Sequence, residues 1–448
     1  MEDALAMMTR RTFLKTASVI GAGPVLSALA QGGDDQNVTL LSETGCGRAT
    51  GYAEANKIVS IGENTHVAWL DSPEEGFRVR MRTLDRRSGE WSPVYTIGEA
   101  HDNHGGPALT VDSEGYLHIS YFPHHHPMRY RRSVRPNDAS EWTEYEEVGK
   151  TTTYPTLVCG PDDTLYLTCR ESSKTEPWVA NLYTRKKNGP WEGPRAILQA
   201  EHMGYAHFMD GLAWSPDFKT LHLTCRIYDN NPGRGHTIGY LRSEDFGETW
   251  TQSDGTPVEL PANAKTVEVI NQNLQDEEAG LRGGGVAVLT DGRPCLVCSD
   301  YRADIPSAWI AVLGTDGAWE HRMLRPSLPT GYEEWGLITP GNVTRTEDGR
   351  ILVALIAVAP PHGPDKKLWG HGSCEIAVFD CDAEGNVVNS RIVTSPDASA
   401  ARWLPSIERP TGHNRVPTAP GLIFTEGPPG GANTELLSNK VYWVNLGA

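Results

Sequence analysis

The chain has fewer positively charged residues than negatively charged ones. Its 448 residues include 40 Lys and Arg against 57 Asp and Glu, which gives a formal net charge of −17. Proteins that bind nucleic acid through its phosphates present a basic face. The balance therefore argues against nucleic acid as a general partner. It does not exclude an anionic substrate, because a few converging Arg and His residues bind one locally.

The sequence also lacks an apolar run that is long enough to cross a membrane. The apolar run from Thr16 to Ala30 is short and rich in Gly and Ala for a membrane span,. It follows the pair Arg10-Arg11, a pattern typical of twin-arginine export signals. We therefore predict an export signal over residues 1–30 and a mature domain over residues 31–448 that works in a periplasm or outside the cell.

Helical periodicity is nearly absent, and a repeated strand pattern takes its place. "DDTLYLTCRESS" (162–173) and "FKTLHLTCRIYD" (218–229) are near copies, and similar units recur at 62–73, 113–124, 291–302 and 348–359. A shorter apolar run precedes most units, and a third strand and a Trp-bearing fourth one follow, as in "EWTEYEEV" and "TWTQSDGTPVEL". The pattern predicts an all-β fold, a seven-bladed β-propeller of four-stranded antiparallel blades. A β-sandwich array is the alternative.

Three other features of the chain bear on this fold. "SEDFGETW" (243–250) fits the Asp-box pattern of propellers, in which the Asp and Gly make a turn and the Trp packs between blades. "KVYWVNL" near the C-terminus is expected to close the ring against N-terminal strand material. Cys169, Cys225 and Cys298 occupy matching strand positions, which suggests small core residues, although one or two disulfides stay open among the eight cysteines.

Unusual residues recur at the same offsets in successive units. Before the first strand of a unit stand His104, Tyr154, His207, Arg282 and, less closely, Trp335. After the second strand stand His124, Arg170, Arg226, Tyr301 and Arg302. An antiparallel hairpin brings the start of one strand beside the end of the next. We therefore expect one mouth of the funnel to hold two His, one Tyr and one or two Arg.

The histidines allow more than one interpretation. A metal site is possible, because imidazole binds Zn²⁺ well, but consecutive residues of a strand point to opposite faces. His124 to His126 thus do not form an obvious ligand set, and His125 and His126 are expected in the turn before Pro127. His118 and His222 lie within strands and are expected to be packed. A polar rim without function is the remaining alternative.

The stretch "DNHGGPALTVDSEGYLHISY…HHHPMRYRRS" followed by "TYPTLV…LYLTCRES" resembles the BNR-repeat propellers that include the ulvan lyases. It is also similar to the propeller lyases that split rhamnosyl-glucuronate linkages. The resemblance implies a seven-bladed propeller with two histidines on one hairpin and a tyrosine and an arginine on the next. The matching positions are His104, His124, Tyr154 and Arg170. The loop between His124 and Tyr154 is shorter than in that family.

What the resemblance implies is β-elimination next to a uronic acid. A guanidinium, here Arg170, would neutralise the uronate carboxylate, and His104 and Tyr154 would act as base and acid in an order left open. Tyr154 alone is another possibility, with His124 helping to hold the carboxylate. Candidates for sugar contacts around the mouth are His207, Arg226, Arg282, Tyr301, Arg302, Trp335 and His371.

The partner expected for such a site is an acidic, uronate-containing polysaccharide, and the chain is expected to be a monomer. No cofactor is required by this chemistry, although a structural Ca²⁺ or Zn²⁺ is possible. A glycoside hydrolase is one rival, because Asp210, Glu171 and Glu333-Glu334 lie near the expected mouth and hydrolysis needs two carboxylates,. The other rival is a propeller that binds carbohydrate without catalysis. A sialidase fits less well, since there is one clear Asp box and no Arg-Ile-Pro motif.

Overall fold

The structure is a computed structural model that describes residues 38–229, 236–273, 280–301, 304–362, 370, 372–394 and 400–447. Val38–Ala448 forms one compact unit. The predicted export signal over residues 1–30, and its boundary at residue 31, lie outside the described residues. No helix among the described residues is long and apolar enough to cross a membrane.

The described residues contain 29 strands and one short 3₁₀ turn, Arg325–Ser327. The strands of the first half are β1 (Val38–Gly45), β2 (Ile58–Ile61), β3 (Asn64–Asp71), β4 (Arg78–Asp85), β5 (Tyr95–Glu99), β6 (Ala108–Val111), β7 (Leu117–Tyr121), β8 (His126–Arg132), β9 (Glu146–Cys159), β10 (Leu165–Glu171), β11 (Val179–Arg185), β12 (Trp191–Gln199), β13 (Ala206–Trp214), β14 (Leu221–Asp229) and β15 (His236–Ser243). Those of the second half are β16 (Trp250–Thr251), β17 (Pro257–Val258), β18 (Glu268–Asn273), β19 (Leu281–Val288), β20 (Pro294–Asp300), β21 (Ser307–Leu313), β22 (Trp319–Met323), β23 (Gly336–Arg345), β24 (Ile351–Val358), β25 (Cys374–Cys381), β26 (Val387–Ile392), β27 (Arg402–Ile407), β28 (Gly421–Glu426) and β29 (Asn439–Asn445).

Antiparallel pairing groups the described strands into seven blades of four. Blade 1 is β2 to β5, blade 2 is β6 to β8 with the first part of β9, and blade 3 is the rest of β9 with β10 to β12. Blade 4 is β13 to β15 with β18, blade 5 is β19 to β22, blade 6 is β23 to β26, and blade 7 is β27 to β29 with β1. The predicted all-β propeller is confirmed.

The ring closes between the two ends of the described chain, as the sequence predicted. β1 pairs antiparallel with β29, so that Val38 lies opposite Val444 and Thr39 opposite Trp443. This N-terminal strand completes a blade whose other three strands come from the C-terminus. β1 is thus the outermost strand of blade 7 and holds the two ends of the described chain together.

Burial follows the place of a strand in its blade. All eight residues of β24, "ILVALIAV", are buried, because neighbouring blades cover both faces of an inner strand and favour a continuous apolar run. The outermost strands are half-exposed, as in β26. Cys169, Cys225 and Cys298 are fully buried in this core and form no disulfide, which confirms the prediction for them.

The Asp box is a structural turn, and the segment after it differs from the prediction. Asp245 accepts hydrogen bonds from Ser243 and Thr249, and Trp250 is buried in a core shared by blades 3 and 4. "TWTQSDGTPVEL" does not supply the fourth strand of blade 4. A turn at Gly255, with φ +87°, folds it into the short hairpin β16–β17, and β18 takes the fourth place beside β15.

Candidate active site

The hairpin β6–β7 places two histidines against one another. His104 precedes β6 and His124 follows β7, and their rings stack with centroids 3.8 Å apart and planes at 21°. Asp102 contacts both: its Oδ1 lies 3.1 Å from Nδ1 of His104 and its Oδ2 lies 2.5 Å from Nδ1 of His124. One carboxylate thus holds both imidazoles.

Tyr154 is aimed into the site by an irregularity in β9. Thr156 pairs with Thr168 and Thr153 pairs with Arg170, so two residues of β9 oppose a single residue of β10. Tyr154 itself has φ +60°, a conformation that costs energy for a residue other than glycine,. Bulges of this kind redirect side chains and are frequent beside active sites. The Tyr154 ring lies 5.9 Å from His104, centroid to centroid.

Arg170 is a buried cation enclosed by aromatic rings. Its side chain is 1% exposed, and its guanidinium carbon lies 4.7 Å from the Tyr154 ring centre, 4.9 Å from that of Trp178 and 5.5 Å from that of Tyr205. Within the described residues Nε and Nη1 of Arg170 are buried without a hydrogen-bond partner. The rings offset part of the cost of burying the charge, but no described carboxylate neutralises it.

Three further residues complete the cluster and escaped the sequence-based prediction. Arg48 donates from Nη1 to Nε2 of His104 at 2.6 Å and also to the Tyr52 hydroxyl. The Tyr52 ring packs edge-on against Tyr154, centroids 4.7 Å apart. Arg48 and Tyr52 lie between β1 and β2, a segment with no counterpart in other blades, so repeat alignment could not find them. Asp102 stands two residues before His104, and that spacing was the only available signal.

Burial sets the protonation of this cluster. It lowers the pKa of His104 to about 4, and the Arg48 charge acts in the same direction against the hydrogen bond to Asp102,. Burial would raise the pKa of Asp102, but its hydrogen bonds with the two imidazoles outweigh burial and hold that pKa below its usual range. Burial raises the pKa of Tyr154, and Arg170 offsets only part of the rise. At neutral pH His104 is therefore neutral, Asp102 ionised and the Tyr154 phenol protonated.

A cavity of about 600 Å³ opens beside Tyr154. It is lined by Arg48, Tyr52, Tyr154, Tyr205, His207, Met209, Arg226, Tyr228, His236, Gly280, Arg282, Tyr301 and Pro340. Four predicted sugar-contact residues, His207, Arg226, Arg282 and Tyr301, are thus brought together. No described lining residue is an Asp or a Glu. In a chain of net charge −17, this composition suits an anionic ligand.

The other predicted contacts fall elsewhere. Trp335 does not line the cavity; its ring packs on the core of blades 5 and 6 and meets Tyr332 edge-on at 4.8 Å. It stands directly before Gly336, the first residue of β23, and so sits in the loop that leads to that strand, six residues before the repeat used to align it. Arg302 and His371 lie outside the described residues.

Three histidines that the sequence analysis left outside the site have structural partners. His118 contacts the Tyr130 hydroxyl at 2.7 Å and Asp112 at 3.2 Å, and His222 contacts the Tyr240 hydroxyl at 2.6 Å. Both are buried, as predicted for histidines within strands. His125 lies 2.6 Å from the Ser172 hydroxyl in the turn after β7.

The carboxylates that a hydrolase would need are not presented to the cavity. The Asp210 carboxylate accepts a hydrogen bond from the Thr168 hydroxyl, and Asp210, unlike Tyr154, does not line the cavity. Burial raises its pKa to about 7. Glu171 accepts a hydrogen bond from the Tyr183 hydroxyl. Glu333 is exposed in the loop before β23 and binds the amide of Gly331.

Among the described residues, two groups of side chains have the composition of metal ligands. In each, potential ligand atoms lie within 4.8 Å of one another: Asp102 with His104 and His124, and Cys159 with Asp163 and His413. In the first group the carboxylate binds both Nδ1 atoms. In the second, the Asp163 carboxylate already accepts hydrogen bonds from Ser113 and Lys187.

The fold and the site define a class of protein. It is a β-propeller that carries a cluster of aromatic, cationic and imidazole side chains at one mouth. Residues 64–326, more than half of the chain, match the model of the BNR repeat-containing family. The chain belongs to that family.

Ulvan lyases are among the proteins to which the chain is similar. Ulvan Lyase-PL25 of Pseudoalteromonas sp. (strain PLSV) is 29% identical over 301 residues, which cover 58% of this chain and 60% of the relative. An ulvan lyase of Alteromonas sp. (strain LOR) is 25% identical over 140 residues, 26% of this chain and 28% of that one. The matches thus span less than two thirds of either relative. The structure of a PL25 ulvan lyase bound to -[GlcA(1-4)Rha3S]- superposes with a TM-score of 0.69 at 14% identity, over 91% of this chain and 95% of that one, which shows a shared fold.

Proposed function

We propose that the chain is a polysaccharide lyase that cleaves a bond 4-linked to a uronic acid, glucuronate or iduronate, by β-elimination. The observation that carries the proposal is the Arg170 guanidinium, buried between three aromatic rings beside Tyr154 with no described carboxylate partner. A buried charge without a counter-charge is costly. A uronate carboxylate would supply that charge and matches the guanidinium fork.

The reaction needs a base, an acid and a cation. The base removes the proton from C5 of the uronate, the electron pair of that bond forms the C4–C5 double bond, and the C4–O4 bond breaks. The acid protonates the departing O4, and no water is consumed. A fixed cation at the carboxylate stabilises the enolate-like charge of the transition state.

The protonation states of the site suit these roles. Burial keeps the Tyr154 phenol protonated, which suits a proton donor to O4,. The imidazole of His104 is neutral above about pH 4, which is the form that a general base requires. We therefore propose that Arg170 binds the uronate carboxylate and that Tyr154 protonates O4. The base is one of the pair His104 and His124.

The cavity beside Tyr154 is the proposed place for the sugars that flank the cleaved bond. His207, Arg226, Arg282 and Tyr301 line it, and they offer the donors that acidic sugars require. The relatives are ulvan lyases, and one was crystallised with a GlcA(1-4)Rha3S repeat. We propose a substrate of that class, an acidic polysaccharide, for an exported, monomeric enzyme.

Metal is not assigned a role in this chemistry. A cation at Asp102 would compete with the two imidazoles that this carboxylate binds. We expect activity to survive treatment with a chelator, since Arg170 and Arg48 supply the positive charge.

The test is incubation of the protein with a panel of glucuronate-containing polysaccharides, including ulvan. Elimination produces an unsaturated uronate that absorbs ultraviolet light, together with new reducing ends. New reducing ends without that chromophore would instead make the protein a hydrolase. Binding without either product would make it a carbohydrate-binding propeller.

A further inference from the structure

We propose that Asp102 is a positioning residue that fixes both histidines of the site with a proton on Nδ1, so that Nε2 of His124 is the nitrogen that takes the substrate proton. The part that concerns proton transfer rests on the proposed function. The part that concerns the imidazole protons stands on contacts of the described residues alone.

The Asp102 carboxylate determines that both Nδ1 atoms carry a proton. An ionised carboxylate only accepts hydrogen bonds, so an imidazole nitrogen in contact with it must carry a proton. Asp102 contacts Nδ1 of His104 at 3.1 Å and Nδ1 of His124 at 2.5 Å, one with each oxygen. It also accepts the backbone N–H of His104 at 2.8 Å, which anchors the carboxylate between the two rings.

Arg48 determines independently that Nε2 of His104 carries no proton. A guanidinium only donates, so a nitrogen in contact with it must be unprotonated. Nη1 of Arg48 lies 2.6 Å from Nε2 of His104. His104 is therefore neutral, with its proton on Nδ1 and with both ring nitrogens engaged. Its task is to hold Arg48 beside Tyr52.

His124 differs from His104 in one respect that decides the assignment of the base. Among the described residues no hydrogen bond is found to its Nε2, and its side chain is 19% exposed against 7% for His104. When Nε2 of His124 accepts a proton, the ring becomes a cation whose Nδ1–H already donates to Asp102. That charge-assisted contact stabilises the protonated ring.

The same geometry does not suit a metal ion shared by the two rings. Carboxylates often hold the outer nitrogen of metal-binding histidines, but two ligand rings must converge on one ion. Here the rings are stacked at 3.8 Å and within 21° of parallel, so their Nε2 lone pairs run side by side. The cation beside Nε2 of His104 is already the Arg48 guanidinium.

The test compares D102N with D112N. Asn offers one acceptor and one donor group, so it cannot accept from two imidazoles at once through both of its arms. Asp112 is the matched control, because it lies on the same hairpin and contacts His118 at 3.2 Å, away from the cavity. The full chain is labelled with ¹⁵N in its histidine rings, signals are assigned with H104Q and H124Q, and the protonated nitrogen is read from the ¹⁵N shifts at neutral pH.

In the wild type we expect both rings to carry the proton on Nδ1. In D102N at least one ring should move it to Nε2, and kcat for elimination should fall by roughly 10³-fold or more, as when a catalytic imidazole loses its orienting carboxylate. D112N should leave both signals unchanged and kcat within about twofold.

A proton on Nε2 of either ring in the wild type, or unchanged signals in a folded D102N, would overturn the assignment. Unchanged kcat in D102N would overturn the positioning role while the lyase function stands. The expected protons in a protein that eliminates no uronate polymer would refute the proposed function and the base assignment, but not the tautomers.

Discussion

Replacing Tyr154 with Phe separates the chemistry of the site from its stability. The ring packs 4.7 Å from Arg170 and 4.6 Å from His207, contacts that Phe retains. The lost hydroxyl has no hydrogen-bond partner among the described residues, so we expect the free energy of unfolding to change by less than about 1 kcal/mol. A general acid contributes about 10²- to 10⁴-fold to rate, which corresponds to roughly 3–5 kcal/mol in the barrier.

The assay follows unsaturated uronate at saturating substrate, with denaturant unfolding of the same preparation. Tyr121→Phe is the matched control, because Tyr121 is fully buried in blade 2 and its hydroxyl also lacks a described partner. Both variants should unfold with the wild type, and only Tyr154→Phe should lose activity. If Tyr154→Phe keeps kcat within about threefold, Tyr154 is not the acid and the roles given to the site are wrong.

Three other changes probe the charge, the ring closure and the core. Arg170→Lys should lower kcat/KM at least about 100-fold in steady-state kinetics, because an ammonium cannot form the bidentate pair. Gly421→Ala should lower the free energy of unfolding by about 3 kcal/mol in a denaturant titration, because its Cβ would overlap the Trp443 ring,. Gly431→Ala is the control and should leave that free energy unchanged, because its Cβ would meet only a side-chain atom at 3.6 Å. Burial raises the pKa of Glu408 from 4.5 to about 7, so the wild type loses stability as pH rises through that window. The stability of Glu408→Gln relative to wild type should therefore increase between those pH values by up to about 3 kcal/mol, and a constant difference would contradict this.

The propeller fold could be predicted from the sequence because its units repeat. Near copies such as residues 162–173 and 218–229 occupy the second strand of successive blades, and the apolar runs before them form the inner strands. Where a local turn interrupts a run, the repeat misleads. Gly255 and Pro257 convert the expected fourth strand of blade 4 into a hairpin, and β18 replaces it.

The residues of the site could be predicted from the sequence only where they follow the repeat. His104, His124, Tyr154 and Arg170 stand at strand ends that hairpin geometry brings together, and the structure places them in one cluster. Arg48, from the segment between β1 and β2 that belongs to no repeated unit, contacts His104 of the same cluster. No spacing in the sequence predicts that contact, because the segment that carries Arg48 has no counterpart in the other blades.

Trp335 lies away from the cavity. It was aligned through "GNVTR", the last five residues of β23, but that strand begins at Gly336, directly after Trp335, and the Trp335 ring packs on the core of blades 5 and 6. Large aromatic residues suit a sugar face and a core equally well, so position alone decides between them.

The central claim is that the bond breaks by elimination and not by hydrolysis. Digestion of a glucuronate-containing polysaccharide in water enriched in oxygen-18, followed by mass spectrometry of the oligosaccharides, tests it directly. Elimination consumes no water, so the new ends should carry unsaturated uronate, lighter by one water than a hydrolysis product, and no oxygen-18 should enter through bond cleavage. Saturated products that incorporate one oxygen-18 per cleaved bond would contradict the account.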